Sequence, residues 1–217
     1  MILHHLSIGY HHSAPILTDI DAELCCGRLV ALIGRNGSGK STLLQTMARL
    51  LPPLTGCIEG ETPAIVLTAT PDLRHTTVLQ MVAYGRLPHT GFFGKLHDQD
   101  YQIARQAIET LGIVALQDRL FCRLSDGEKQ KVMIARALAQ GTSTLLLDEP
   151  SAFLDYPSRV QLMQNLQSLA HTQHKAILIS THDLDLARQY ADTFWWIHDR
   201  QLTTNVDPQS EKFTTWF

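Results

Sequence analysis

No pair among the four cysteines, Cys25, Cys26, Cys57 and Cys122, has CxxC spacing, which leaves no sign of a disulfide framework. Cys25 and Cys26 read as strand residues rather than a redox pair. The sequence also lacks a secretory leader and any apolar run long enough to span a membrane, so a reducing cytosolic compartment is the simplest expectation. Excess positive charge is missing too: 18 Lys and Arg face 21 Asp and Glu, a formal net charge of -3. That balance supplies neither a basic field for nucleic acid nor a polybasic membrane anchor, so nucleic acid is not an expected partner. Contact with a membrane would have to go through another protein. No internal repeat or low-complexity linker divides the chain. What is present is 217 residues, 44% of them hydrophobic, enough for one core or one core with an inserted lobe.

Four apolar runs read as strands: Leu3 to Ile8, Leu29 to Ile33, Thr144 to Leu147 and Ala176 to Ile179. The last three are continuous rather than alternating, the pattern of parallel strands covered on both faces. Between roughly Pro71 and Gly141 the strand signal fades, and Asp98 to Leu111 and Glu128 to Gln140 carry helical spacing. This predicts a helical lobe inserted into an α/β core. Thr193 to Leu202, centred on Asp199-Arg200, reads as a short closing hairpin.

Directly after the Leu29 to Ile33 strand stands Gly34-Arg35-Asn36-Gly37-Ser38-Gly39-Lys40-Ser41, which fits GxxxxGK[ST]. Glycines let the backbone wrap phosphate oxygens, successive N–H groups and a helix N-terminus supply positive potential, and Lys40 reaches the outer phosphates. Gly34, Asn36, Gly37, Ser38, Gly39, Lys40, Ser41 and Thr42 are therefore candidate nucleotide-binding residues, with Ser41 placed to ligate Mg²⁺. A dinucleotide fold is disfavoured because Thr42 stands where GxGxxG requires glycine. A second phosphate element, Leu145-Leu146-Leu147-Asp148-Glu149-Pro150, ends a strand in adjacent carboxylates. Asp148 can orient Mg²⁺ and its waters, and Glu149 can polarise an attacking water. Between the two motifs, Ser125 and Glu128 form a capping-box pattern, and Val132, Ala135, Leu138 and Ala139 give the helix behind them a buried face. That start offers N–H groups, the Ser125 hydroxyl and the bare backbone of Gly127 to a triphosphate; an ordinary helix start is the plainer reading.

The order of these three elements differs from that of P-loop kinases and GTPases, and it resembles the ABC ATPase family over nearly the whole chain. On that resemblance Leu124 to Lys131 is the signature motif, in which Ser125, Gly127 and Glu128 cap ATP held by a second subunit, implying a homodimer. Ser151-Ala152-Phe153-Leu154-Asp155 is similar to the D-loop, with Asp155 communicating across the dimer. His182, in Ser180-Thr181-His182-Asp183, resembles the switch histidine that contacts the γ-phosphate. Tyr10 resembles the aromatic that stacks on adenine, with an edge-strand tyrosine as the alternative. The family implies a P-loop NTPase core with a mostly parallel sheet, N-terminal antiparallel strands and an inserted helical subdomain. Residues 1–217 would then form one domain with a lobe near 71–141.

Tyr84 to Gly91, Leu124 to Gln140, Leu154-Asp155 and Ser180 to Ala187 look like the ATP-binding subunits of iron-siderophore, haem and cobalamin importers. That resemblance implies ATP and Mg²⁺ as cofactors and two copies docked beneath permease subunits on the cytoplasmic face of the cell membrane. An external substrate-binding protein would feed them. A soluble ABC protein using ATP-driven dimerisation as a switch, or one serving another substrate, is the alternative. A P-loop kinase is a second rival, disfavoured by the signature.

Three departures stand out. Asp126 and Glu128 replace the usual Gly and Gln of the signature, placing two carboxylates beside a triphosphate. The segment after Ala64 to Leu67 reads Thr68-Ala69-Thr70 where the family has a Mg²⁺-sensing glutamine, and Gln80 lies too far along to replace it. Altered coupling is the expectation. The short stretch after the hairpin, to Phe217, leads us to expect no regulatory domain. His4, His5, His11 and His12 read as surface histidines without convergent partners, His171 and His174 as a solvated helix end, and Trp195 and Trp196 as hairpin packing.

Overall fold

The continuous apolar runs form the inner strands of a sheet, as their lack of alternation predicts. The structure is a computed structural model that describes residues 1–10, 13–69, 71, 73–91 and 94–207. In chain order come β1 (Ile2–Ile8), β2 (Leu17–Glu23), β3 (Arg28–Gly34), α1 (Lys40–Met47), β4 (Thr55–Glu59) and β5 (Ala64–Val66). They are followed by α2 (Val78–Ala83), α3 (Asp98–Thr110), α4 (Asp126–Ala139), β6 (Thr144–Asp148) and α5 (Tyr156–Gln173). The described chain closes with β7 (Ala176–Ser180), α6 (Leu184–Tyr190), β8 (Thr193–His198) and β9 (Gln201–Val206). His11, His12, Thr70 and the C-terminal residues to Phe217 lie outside the described residues.

Six strands form one sheet in the order β5-β6-β7-β3-β8-β9, and β2-β1-β4 form a smaller antiparallel sheet. β3 pairs in parallel with β7 on one side and β8 on the other, and β6 pairs in parallel with β7. Both β6 and β7 are buried at every residue, and β3 at all but Arg28. β8 and β9 make the expected hairpin, turning through Asp199 at φ 45° and Arg200 at φ 63°, the positive pair that suits a right-handed strand twist. Polar β4 carries little strand signal of its own; it forms because β1 offers it an edge.

The chain divides into two compact units. The first comprises Met1–Ile65, Ser143–Glu149 and the residues from Leu166 onward; the second comprises Val66–Thr142 and Pro150–Asn165. In the first, Leu43, Leu44 and Met47 of α1 share a core with Leu3, Leu6 and Ile8 of β1 and with fully buried Trp195. That core anchors the start of α1, and with it the phosphate loop. In the second, α2 and α4 both begin with capping boxes, Thr77 with Gln80 and Ser125 with Glu128. Arg86 closes the other end of α4, donating to the carbonyls of Ala139 at 3.0 Å and Gln140 at 3.4 Å while pairing with Asp100 at 3.3 Å. Gly85 abuts this end so closely that a Cβ would overlap the Arg136 carbonyl. Gly85→Ala is accordingly expected to cost about 1–3 kcal/mol through overpacking, read as a lower thermal midpoint; an unchanged midpoint would mean that the backbones separate freely.

Several local expectations are corrected. Cys25 and Cys26 lie in the turn between β2 and β3, exposed and free, because the strand ends at Glu23. His5 does have convergent partners: antiparallel pairing brings Asp19 to 2.9 Å and Asp21 to 3.4 Å from its Nδ1. The Asp19 hydrogen bond, then the charges of Asp21 and Asp19, raise the pKa of this exposed imidazole. The solvated helix end expected at His171 and His174 is found: both are exposed where α5 ends at Gln173, His174 turns to φ 50°, and His171 lies 2.9 Å from Asp192.

Candidate nucleotide site

Each loop of the first unit that carries a candidate phosphate-site residue leaves the C-terminal end of a parallel strand. β3 runs into the phosphate loop, β6 ends at Asp148, and β7 ends at Ser180 with His182 just beyond. Strand register sets Asp148 opposite Ser180 and Leu32 opposite Ser180 of the same strand, so the loops emerge side by side.

The loop is shaped for an anion. Gly39 precedes α1 at φ 105°, where a side chain would be strained and would also strike Ile16. Gly37, at φ 76°, has open space where a Cβ would point. No side chain among the described residues caps α1, which leaves its first N–H groups facing the loop. Ser38 Oγ is buried without a hydrogen-bond partner among the described residues, so its donor and acceptor capacity is unused within the fold. Lys40 is 6% exposed, and its Nζ donates to the carbonyls of Gly34 at 2.8 Å and Arg35 at 3.3 Å. Burial pushes the Lys40 pKa down, while the charges of Glu149 and Asp148 pull it back up. Ser41 is exposed at the helix start and Thr42 is buried behind it. A cavity of about 640 Å³ opens along Arg35 to Ser38, bounded by Ile16 and by Trp196 to Arg200.

Sequence reading missed Ser180. Its buried hydroxyl donates to Asp148 Oδ1 at 2.6 Å and accepts the Glu149 N–H at 2.9 Å. One hydroxyl thus aims the Asp148 carboxylate and holds the turn in which Glu149 adopts φ 49°. Ser180→Ala would strand the Glu149 N–H and is expected to cost about 1–3 kcal/mol. The thermal midpoint should fall by roughly 2–10 °C; no fall would remove Ser180 from this role. The structure also joins Glu149 and His182, placed in separate loops by sequence: His182 Nε2 lies 2.7 Å from Glu149 Oε1.

In the second unit, a cavity of about 500 Å³ is lined by Ser125 to Glu128, Lys131, Phe153 to Asp155 and Ser158. A Cβ on Gly127 would meet the Phe153 carbonyl at 2.9 Å, so glycine permits the close approach of these segments. Asp155 Oδ1 accepts the Ser158 N–H at 3.1 Å and its carbonyl accepts from Arg159, an arrangement that starts α5. The Ser158 side chain first, then its N–H, hold the Asp155 carboxyl below the usual range. Tyr10 follows β1 with its side chain open to solvent and is 55% exposed.

These features match one family, that of the ABC transporters, across residues 17–152. Among relatives, the iron(3+)-hydroxamate import ATP-binding protein of Bacillus subtilis is 37% identical over 86% of this chain and 74% of its own length. The achromobactin transport ATP-binding protein of Dickeya dadantii is 38% identical over 90% of this chain and 77% of its own. The chain belongs to the ABC transporter ATP-binding family. An inward-facing ABC transporter assigned to the metal-chelate type superposes with a TM-score of 0.90 at 28% identity, covering 99% of this chain and 86% of that one. The ABC fold accounts for the α/β core, the antiparallel N-terminal sheet and the helical subdomain, and ABC proteins of this kind bind nucleotide and are ATPases.

Against that family, the departures acquire geometry. Asp126 points outward and is met by Lys129 at 3.3 Å. Glu128 Oε2 accepts the Ser125 N–H at 2.8 Å and lies 3.0 Å from Ser125 Oγ, and Oε1 faces Arg119 at 3.2 Å. The Ser125 N–H, above all, keeps the Glu128 carboxyl below the usual range. Gln80 accepts the Thr77 N–H at 2.9 Å in the cap of α2, which commits it to that helix start. No helix among the described residues is long and apolar enough to cross a membrane. Trp195 is buried in the core behind the hairpin, and half-buried Trp196 lies 4.0 Å from the His198 ring of the same hairpin strand and borders the cavity beside the phosphate loop.

Proposed function

We propose that this chain powers an ABC importer, driving uptake of an iron chelate, haem or cobalamin through partner permease subunits. The reading rests most on the residue sets of the two compact units: the glycine-rich loop with Lys40, Asp148, Glu149 and His182 belongs to one, and the cavity lined by Ser125 to Glu128 belongs to the other. Two copies arranged head to tail would bring each signature cavity to the other's phosphate loop. The import names of the relatives support the substrate class, and residues 1–217 act as one ABC ATPase domain with the 71–141 lobe inserted.

In this reading, Gly34, Asn36, Gly37, Ser38, Gly39, Lys40 and Thr42 hold the phosphates, and Tyr10 stacks on adenine. Ser41 and Asp148 would hold Mg²⁺, which when bound offsets phosphate charge and polarises the γ-phosphate. The exposed hydroxyl of Ser41 and the Ser180-aimed carboxylate of Asp148 are hard oxygen donors suited to that ion. Glu149 takes the proton of the attacking water, and His182 steadies Glu149 through Oε1 and contacts the γ-phosphate. Ser125, Gly127 and Glu128 close the partner's site, and Asp155 communicates across the pair. The stroke is transmitted to the permease, on the cytoplasmic side of the membrane, through the lobe around Thr68 to Arg86, with an external binding protein delivering substrate.

Deleting the chain is expected to abolish uptake of one of these chelates, with recovery on re-expression of the wild type but not of the Glu149→Gln variant. Unimpaired uptake of ferric chelates, haem and cobalamin in the deletion strain would favour the soluble switch instead.

A further inference from the structure

Two carboxylates in the signature loop pose an electrostatic problem, because that loop must receive a polyanion. Asp126 is answered by its neighbour Lys129 and extends into solvent. Glu128 cannot turn away, since its Oε2 is held by the Ser125 N–H and lies within hydrogen-bond distance of the Ser125 hydroxyl. It therefore competes for the hydroxyl proton that a γ-phosphate would need. Its remaining oxygen, Oε1, meets the guanidinium of Arg119 at 3.2 Å.

That guanidinium is held in place. Its Nη2 donates to the Arg123 carbonyl at 3.4 Å, while the Arg119 N–H donates to Leu116 and its carbonyl accepts the Val78 N–H at 3.0 Å. Arg119 does not line the signature cavity; it reaches Glu128 from outside it. The Arg119 side chain is 48% exposed, and such a pair contributes little to folding. Its larger effect falls on the charge that an incoming phosphate meets.

We propose that Arg119 is a positioning residue for ATP hydrolysis: it neutralises Glu128 and holds it on the helix cap, so that Ser125 and the first turn of α4 can accept a γ-phosphate bound by another copy. This rests on the reading that the loop caps a partner's ATP. Arg119 acts through Glu128 alone, so its importance should vanish when that charge is gone.

The test uses the purified full chain and its steady-state ATP hydrolysis. Arg119→Met should raise the ATP concentration for half-maximal rate about 5- to 10-fold, the scale of one unbalanced charge a few ångströms away at an exposed, largely water-screened site. The maximal rate should stay within about threefold, and Arg119→Lys should recover most of the loss because it restores the charge. In a Glu128→Gln background, Arg119→Met should shift half-saturation less than about twofold, the signature of pairwise coupling. A defect of equal size in that background would overturn the proposal and make Arg119 a structural support of the 116–124 turn. Wild-type behaviour of Arg119→Met would overturn it as well. Ser125→Arg separates this from failure of the underlying reading: it should block hydrolysis while the chain still binds a fluorescent ATP analogue. Normal hydrolysis by Ser125→Arg would remove the signature assignment itself.

Discussion

Glu149→Gln is expected to lower ATP turnover by on the order of 10² or more while leaving ATP binding as tight as in the wild type, or tighter. The amide occupies the same space and still offers an oxygen to His182, 2.7 Å away, but it cannot accept a proton from water. The backbone turn should survive, because Ser180 holds the Glu149 N–H rather than its side chain. Binding should not suffer, because the carboxylate is one of two negative charges acting on Lys40 beside the phosphate loop. Removing a negative charge there favours a polyanion. Single-turnover hydrolysis with equilibrium binding of a fluorescent ATP analogue separates the two effects. Hydrolysis near the wild-type rate would show that another group serves as base.

Lys40→Met should act on the other quantity, weakening ATP binding by roughly 10- to 10²-fold, the worth of one charge-assisted hydrogen bond. Methionine retains most of the buried stem, so the loss reports the ammonium group rather than a cavity. A pH series sharpens the test. Burial lowers the Lys40 pKa, and only the protonated amine attracts phosphate. Wild-type affinity should therefore fall as pH rises through that lowered pKa, earlier than for an ordinary lysine. The Met variant should lose this dependence. Equal ATP affinity in the two proteins would dismiss Lys40 as a phosphate ligand.

Much of this site is legible along the chain. The phosphate loop follows a strand because Leu29 to Ile33 is continuously apolar, and Asp148 and Glu149 end another such run. The Ser125 and Glu128 capping box marks the start of α4 because a helix N-terminus needs local acceptors, which these residues supply. β4 was much less legible, since its residues are mostly exposed and it exists through pairing with β1. Of α5 only the solvated end near His171 is expected from the sequence, although Leu162, Met163, Leu166, Leu169 and Ala170 are buried at helical spacing that reveals the rest.

The division follows the range of the forces involved. Periodicity, glycine placement and capping act over a few residues, so the sequence by itself determined the glycine-rich loop after β3, the paired carboxylates that end β6, the buried strands and the helix starts. Strand order acts across the whole fold. Only the tertiary structure set β7 between β6 and β3, which brings the Ser180 hydroxyl to Asp148 and Glu149, 32 and 31 residues away, and His182 onto Glu149. It likewise decided that Glu128 is countered by Arg119 rather than left facing the signature cavity alone, because hydrogen bonds and ion pairs depend on distances that spacing along the chain does not encode.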